Sequence, residues 1–302
     1  MFDTIRKNKK QSIGIVFTFI IVITLILYYV FWALDFGSMA ILISLIFSIT
    51  SACASYYYSD KIILSMNNAR PATKEENLKL VNILDSLMLS SGLEHRPQLY
   101  VVEDSQPNAF ATGRDPKHSV ICVTTGLLNK LDYYELEGVI AHELGHIKNY
   151  DIRLSAIVTV MVGFVVMLSD IFSRSLFWGR TKNRDDDSES GNAILMIIGL
   201  IFLILSPIFS KLMQLAVSRK REFLADATAV EFTRNPDGLI STLQKLSLDP
   251  NELKTANNAT SHMYVVNPFR KNASAQKNKK TSNIWSTHPS IQDRIEALRN
   301  LQ

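Results

Sequence analysis

His142-Glu143-Leu144-Gly145-His146 is the stretch on which the reading of this chain turns. Two histidines stand four residues apart, with a glutamate directly after the first. On an α-helix, positions i and i+4 share one face, so both imidazoles can reach one point. That point suits a Zn²⁺ ion, and the glutamate can hold a water beside it. The flanking residues supply the helix. Leu131, Leu136, Val139 and Ile140 recur at roughly helical spacing, and Asp132 with Glu135 forms a capping-box pattern at its start. The bland alternative is two surface histidines and a solvated glutamate. It is disfavoured because the pentapeptide sits in an apolar helix, where unpaired polar groups cost free energy.

A site of this kind needs a third protein ligand and an open position. Further along, Ser218-Arg219-Lys220-Arg221-Glu222-Phe223-Leu224-Ala225-Asp226-Ala227 places two acids four apart on a helix. Glu222 can supply the ligand. Asp226, one turn on, can accept the free ring N–H of a ligating histidine. On spacing alone, a solvated acid pair offsetting Arg219 and Arg221 is an equally good reading.

Apolar runs before these segments and between them point to a membrane. Hydrophobic residues make up 47% of the 302, and many of them are gathered in long uncharged runs rather than spread at helix or strand spacing. A basic tail with Arg6, Lys7, Lys9 and Lys10 precedes an uncharged run from Ile13 to Leu34. After Asp35-Phe36-Gly37, a second such run extends from Ser38 to Ser59. Each has about 22 residues, enough for a hydrocarbon core of about 30 Å. They predict a transmembrane hairpin with its amino terminus in the cytoplasm. A cleaved signal peptide is the rival for the first run, but the apolar stretch is too long and no small-x-small cleavage site follows. Two shorter apolar runs, Leu154 to Ser169 and Ala193 to Ser210, flank a charged loop at 174–192. They predict a second hairpin that crosses the bilayer, or one lying on it or over the soluble part.

The soluble part reads as α+β. Glu75 to Leu89 is a helix ending at Gly92, Leu99 to Val102 and Val120 to Thr124 are strands, and Asp237 to Leu248 is an amphipathic helix. A small, mostly antiparallel sheet leading into the motif helix follows, and an exposed edge of it can hold an extended peptide. Asn108, after Pro107, reads from the residues alone as a turn residue. Residues 250–283 read as a long polar loop, and Ile291 to Leu301 as a closing helix. The divisions are a tail at 1–12, a hairpin at 13–59, the first soluble segment at 60–153, a second hairpin at 154–213 and the second soluble segment at 214–302. A net charge of +4 gives no reason to expect nucleic acid. Cys53 in a span and Cys122 in a strand have no metal-type spacing and fit a reducing compartment.

Four segments together resemble the HtpX family of membrane-bound zinc metalloproteases, prokaryotic relatives of the CAAX prenyl proteases. They are the pentapeptide, Arg221 to Asp226, Pro107-Asn108-Ala109-Phe110-Ala111-Thr112-Gly113, and Ser286-Thr287-His288-Pro289-Ser290 with Arg294-Ile295. With both hairpins, the resemblance spans nearly the whole chain. It implies a mainly α, membrane α-helical fold with a cytosolic α+β zincin-like (gluzincin) domain carrying a small antiparallel sheet. One Zn²⁺ per chain would be held by His142, His146 and Glu222, with Glu143 as general base and Asp226 behind a ligand. Asn108 would contact substrate or transition state. His288 would stabilise the oxyanion or close the zinc in a resting state. Ser290 stands where the family often has proline. The implied activity is hydrolysis of peptide bonds in misfolded or damaged membrane proteins, a quality-control role. Its partners would be protein or peptide substrates and the lipid bilayer, in a multi-pass protein of the cell membrane with termini and active site cytoplasmic. Two other classes remain open: a CAAX-type processing protease, and a zinc-stabilised membrane scaffold without turnover, which the presence of Glu143 argues against.

Overall fold

Two reciprocal capping boxes, at Thr73 with Glu76 and at Asp132 with Glu135, start the two helices that flank the sheet. Each satisfies two backbone groups that a helix start otherwise leaves orphaned. The computed structural model describes residues 2–33, 36–164, 218–249, 260–265 and 289–301. His288, most of the predicted second hairpin and most of the 250–283 loop lie outside the described residues.

In chain order, α1 (Phe2–Ala33) and α2 (Met39–Tyr57) form the first hairpin, and α3 (Ser59–Met66) leads to β1 (Arg70–Pro71). Helix α4 (Lys74–Ser91) precedes β2 (Gln98–Val102), β3 (Ala109–Gly113) and β4 (Ser119–Thr124). Then come α5 (Thr125–Lys130), α6 (Tyr133–Lys148) and α7 (residues 151–164). Helices α8 (Arg219–Thr233), α9 (Pro236–Leu248) and α10 (Ile291–Arg299) complete the described part.

The expected small sheet is present and is mixed, in the order β1-β2-β4-β3. β1 with β2 and β3 with β4 are antiparallel, while the central β2–β4 pair is parallel. The chain leaves β2, forms β3 on the far side of β4, and turns through Pro116–His118 into β4. β3 is therefore an edge strand.

Both faces of this sheet are covered, so β3 and β4 read as continuous buried runs. One face packs Val101, Ile121 and Val123 against Leu80 and Leu84 of α4 and Leu136, Val139 and Ile140 of α6. The other sets Val102, Phe110 and Val120 against Ile63 of α3 and Val160 of α7. Each fully buried aliphatic side chain contributes about 1.5–3 kcal/mol.

Helices α1 and α2 are long and apolar enough to cross a membrane, by length and composition. Ile13, Phe17 and Ile21 on α1 and Ile41, Leu45 and Ile46 on α2 stand exposed, the reverse of a soluble core helix. Their contact uses small residues: Ala40, Ser44, Ser48 and Ala52 form a buried stripe on α2, four apart. Such residues let helices approach closely in lipid. The hydroxyls of Ser44 and Ser48 donate to carbonyls four residues back, at 2.7 and 2.8 Å. α7 joins this layer, with Leu154, Ile157 and Met161 against Ile15, Phe19 and Ile23 of α1. At the foot of the hairpin, Arg153 lies over the rings of Tyr56 and Tyr150, and Arg114 over Tyr57. Aromatic rings with cations are typical of a membrane–water interface.

Glu135 ties α6 to α9. Its carboxylate accepts from Asp132 N–H at 2.9 Å, Ser241 Oγ at 2.6 Å and Lys245 Nζ at 2.6 Å. Burial alone would raise its pKa; the bonds from Lys245 and Ser241 outweigh burial and hold it below the ordinary glutamate range. A depressed carboxylate stabilises the fold above its ordinary pKa, and that contribution fades as pH falls through the depressed value. Glu135→Ala is expected to cost about 1–3 kcal/mol near pH 7, less at low pH, as read by thermal unfolding at several pH values.

Candidate active site

The site is assembled where α6 crosses α8. Gly145, inside the pentapeptide, makes the crossing close: a Cβ there would stand 3.3 Å from Ala225 Cα, Ala225 O and Thr228 Cβ. The approach brings Glu222 of α8 to the two histidines of α6. Among the described residues, His142, His146 and Glu222 form a group whose ligand atoms all lie within 4.8 Å of one another. His142 Nε2 is 3.2 Å from His146 Nε2. The Glu222 carboxylate lies 3.8 Å from the first nitrogen and 3.7 Å from the second.

Both rings are held from behind by an aspartate. His142 Nδ1 is 2.9 Å from Asp226 Oδ1. His146 Nδ1 is 3.0 Å from Asp151 Oδ2, at the start of α7. Each Nδ1–H donates backwards, so both Nε2 atoms turn towards Glu222. Two ring nitrogens and a carboxylate at these distances demand positive charge among them. The protonation balance says the same. Burial would lower the pKa of His146, yet Asp151, Glu222 and Glu143 raise it to about 9. The surrounding carboxylates thus favour a cation at this point, and binding of a metal there would release any proton held by the ring. The pKa of His142 is lowered, by burial first, which favours the neutral ring. The donor set therefore fits a divalent metal.

Glu143 stands beside this group with 2% of its surface exposed. Burial, aided by the charge of Glu222, pushes its pKa up to about 7, against the opposing pull of His146 and Arg294. The backbone N–H of Ala111 donates to it, which connects α6 to the edge strand β3. Glu143, His146, Glu222 and Ala111 line one cleft together with Ser155, Arg221 and His262. Asn108 is not among the residues lining that cleft. It is fully buried at the start of β3, where its Oδ1 accepts from Ala109 N–H at 3.1 Å. His288 lies outside the described residues.

Several supporting residues were not singled out from sequence. Arg294 of α10, 1% exposed, donates to both oxygens of Asp226 at 2.8 and 2.5 Å and lies 3.5 Å from a Glu222 oxygen. In the sequence its one mark is its place in the segment Ser286 to Ile295 that carries the family resemblance. Asp151 follows the pentapeptide by five residues, at no helical spacing that would mark it as a partner of His146. His262, 3.3 Å from Thr159 Oγ1, sits in a stretch whose only mark was its polarity. Beside it, Val265 N–H donates to Ala109 O at 3.0 Å and occupies one end of the β3 edge.

Converging metal donors with an acid poised next to them, set below an apolar hairpin, define a membrane-bound metallopeptidase. Comparison with known proteins gives the same answer, since residues 74–302 match Peptidase family M48 and the chain belongs to that family. It is 39% identical over 302 residues to a protease HtpX homolog of Thermoanaerobacter pseudethanolicus, covering 100% of this chain and 98% of that one. A protease HtpX homolog of Dictyoglomus thermophilum is 42% identical over 298 residues, covering 99% and 94%. Among solved structures, S. mikatae Ste24p is similar with a TM-score of 0.47 at 16% identity, over 99% of this chain and 67% of that one.

Proposed function

We propose that this chain is a zinc-dependent endopeptidase that cleaves misfolded or damaged membrane proteins at the cytoplasmic face of the cell membrane. The observation that carries the reading is the convergence of His142, His146 and Glu222 beside Glu143, which stands outside that group. Two imidazoles and a carboxylate are a donor set that suits Zn²⁺ and leaves a position open. Zn²⁺ held there supplies Lewis acidity towards the scissile carbonyl.

The chain's own residues do the rest. Glu143 takes a proton from the attacking water at its carboxylate and returns it to the leaving amine. Asp226 and Asp151 keep the two ligand rings oriented. Asn108 pairs its backbone with Thr124, so Ala111, three residues on, turns its C=O to the open side of β3. An extended substrate can add to that edge by main-chain hydrogen bonds. Asn108 then serves the substrate by fixing the start of the edge, and His288 is the proposed partner of the oxyanion.

Sidedness rests on the tail. Arg6, Lys7, Lys9 and Lys10 favour the cytoplasm. Asn8, among them, donates to Asn149 O at 3.0 Å, which supports tail and site on one side. The two apolar runs at 154–169 and 193–210 are proposed to form the second membrane hairpin, which would keep the site next to membrane substrates.

The test is metal removal from the full chain in detergent. Complete chelation is expected to abolish cleavage of an unfolded protein, and one equivalent of Zn²⁺ to restore it. Cleavage that survives removal of all metal would refute the reading. A parallel assay with prenylated peptides separates general proteolysis from processing of lipid-modified ends.

A further inference from the structure

The two ligand histidines are braced alike, but from opposite ends of the chain. His142 rests on Asp226, and Asp226 on Arg294 from the last described helix. His146 rests on Asp151, whose other oxygen accepts from Asn8 Nδ2 at 2.6 Å. Asn8 lies on α1, ahead of the apolar run, and is 3% exposed. Its Nδ2 also donates to Asn149 O at 3.0 Å. A carboxylate and a carbonyl only accept, so the amide N–H₂ must face them. Ser12 Oγ donates to Asn8 O at 2.9 Å, adding a bond within the helix.

The turn that Asn8 grips has no strong preference for its own shape. Tyr150 has φ +60°, in the left-handed region that a tyrosine seldom occupies. This geometry lets Asp151 fold back beneath His146, five residues earlier. Lys9 Nζ lies 4.1 Å from the Tyr150 ring centroid. Asn8 and Lys9 thus hold Asn149, Tyr150 and Asp151 in succession.

We propose that Asn8 is a positioning residue for the metal centre: through Asp151 it sets the orientation of His146, so the membrane anchor's own helix is part of the site. The inference rests on the reading of His146 as a metal ligand. It assigns the amino-terminal segment a role besides anchoring, because cutting or shifting α1 removes the support of one ligand.

The experiment measures Zn²⁺ affinity of the full chain in detergent by competition with a chelator, with no substrate present. The proteins are wild type, Asn8→Ala, Asn8→Asp, Asp151→Ala, Asn8→Ala with Asp151→Ala, and His146→Ala. Outer-shell partners of metal ligands are worth roughly 10–100-fold in affinity. Asn8→Ala is expected to weaken binding by about tenfold, at the low end of that range, and to shift the visible bands of the Co²⁺-substituted protein. Asn8→Asp keeps the volume but sets an anion against Asp151, and is expected to be at least as weak. In the Asp151→Ala background, Asn8→Ala is expected to have no further effect. Wild-type affinity in both Asn8 variants would overturn the proposal, as would losses that add in the double variant, the mark of a general folding defect. His146→Ala separates the two readings: if it binds Zn²⁺ like wild type, the ligand assignment itself fails; if it loses Zn²⁺ while the Asn8 variants do not, only the positioning role falls.

Discussion

Glu143→Gln is expected to cut peptide cleavage by about 10²–10⁴-fold while Zn²⁺ stays bound, the range that removal of a general acid–base group typically produces. Its carboxylate is not in the group formed by His142, His146 and Glu222. Glutamine has nearly the same volume, and its Oε1 can still accept the Ala111 N–H that reaches Glu143. What it lacks is the ability to take a proton. With no metal present, burial holds the Glu143 pKa at about 7, close to the optimum for a base working near neutrality. A cation next to it favours the ionised form and lowers that value. Glutamine also removes a carboxylate that is costly to bury. Stability is therefore expected to be unchanged or slightly higher, with Zn²⁺ content at one per chain. Metal analysis and a cleavage assay on the same preparation check this. Full activity in the variant would exclude Glu143 as the base. Loss of Zn²⁺ would make it a ligand.

How much of this was legible in the residues follows distance along the chain. The pentapeptide and the capping box at Asp132 act within one helix, where spacing alone determines which side chains meet. Glu222 and Asp226 are also four apart, but their partners lie far back in sequence, so spacing left a solvated acid pair equally open. The close crossing at Gly145 decides it, and a glycine in a helix does not announce what will pack against it. Asp151 was hidden for another reason. It reaches His146 only because Tyr150 takes a left-handed conformation, and nothing about a tyrosine predicts one. Asn8 sat in a tail read for its charges. The sheet was read as consecutive short strands, which favours antiparallel pairing; the β3 edge formed between β2 and β4 in sequence makes the central pair parallel.

Arg294→Met is expected to be the most destabilising single change outside the ligands, costing about 3–5 kcal/mol. Arg294 is almost fully buried and donates to both oxygens of Asp226 and to Val265 O at 3.2 Å. Without it, Asp226 keeps a charge inside the protein with, among the described residues, the His142 N–H to balance it. Glu222, 3.5 Å from the same guanidinium, loses a nearby cation as well. A cost of that size lowers the unfolding midpoint by on the order of 10 °C in a domain of this length. Metal affinity is expected to fall by about 10–100-fold, because Asp226 no longer has a fixed position from which to hold the His142 ring. A paired substitution separates stability from metal binding. Arg294→Met with Asp226→Asn removes both charges and leaves an amide oxygen that can still accept from His142 Nδ1. Stability is expected to recover by at least half, since the uncompensated charge is the main cost. Affinity is expected to recover less, because a neutral amide is a weaker acceptor than a carboxylate and lacks the fork that aligned it. Thermal unfolding and Zn²⁺ competition on the wild type, both single variants and the double variant close the cycle. Equal recovery of stability and affinity would mean that Arg294 supports the metal centre only by holding the fold together.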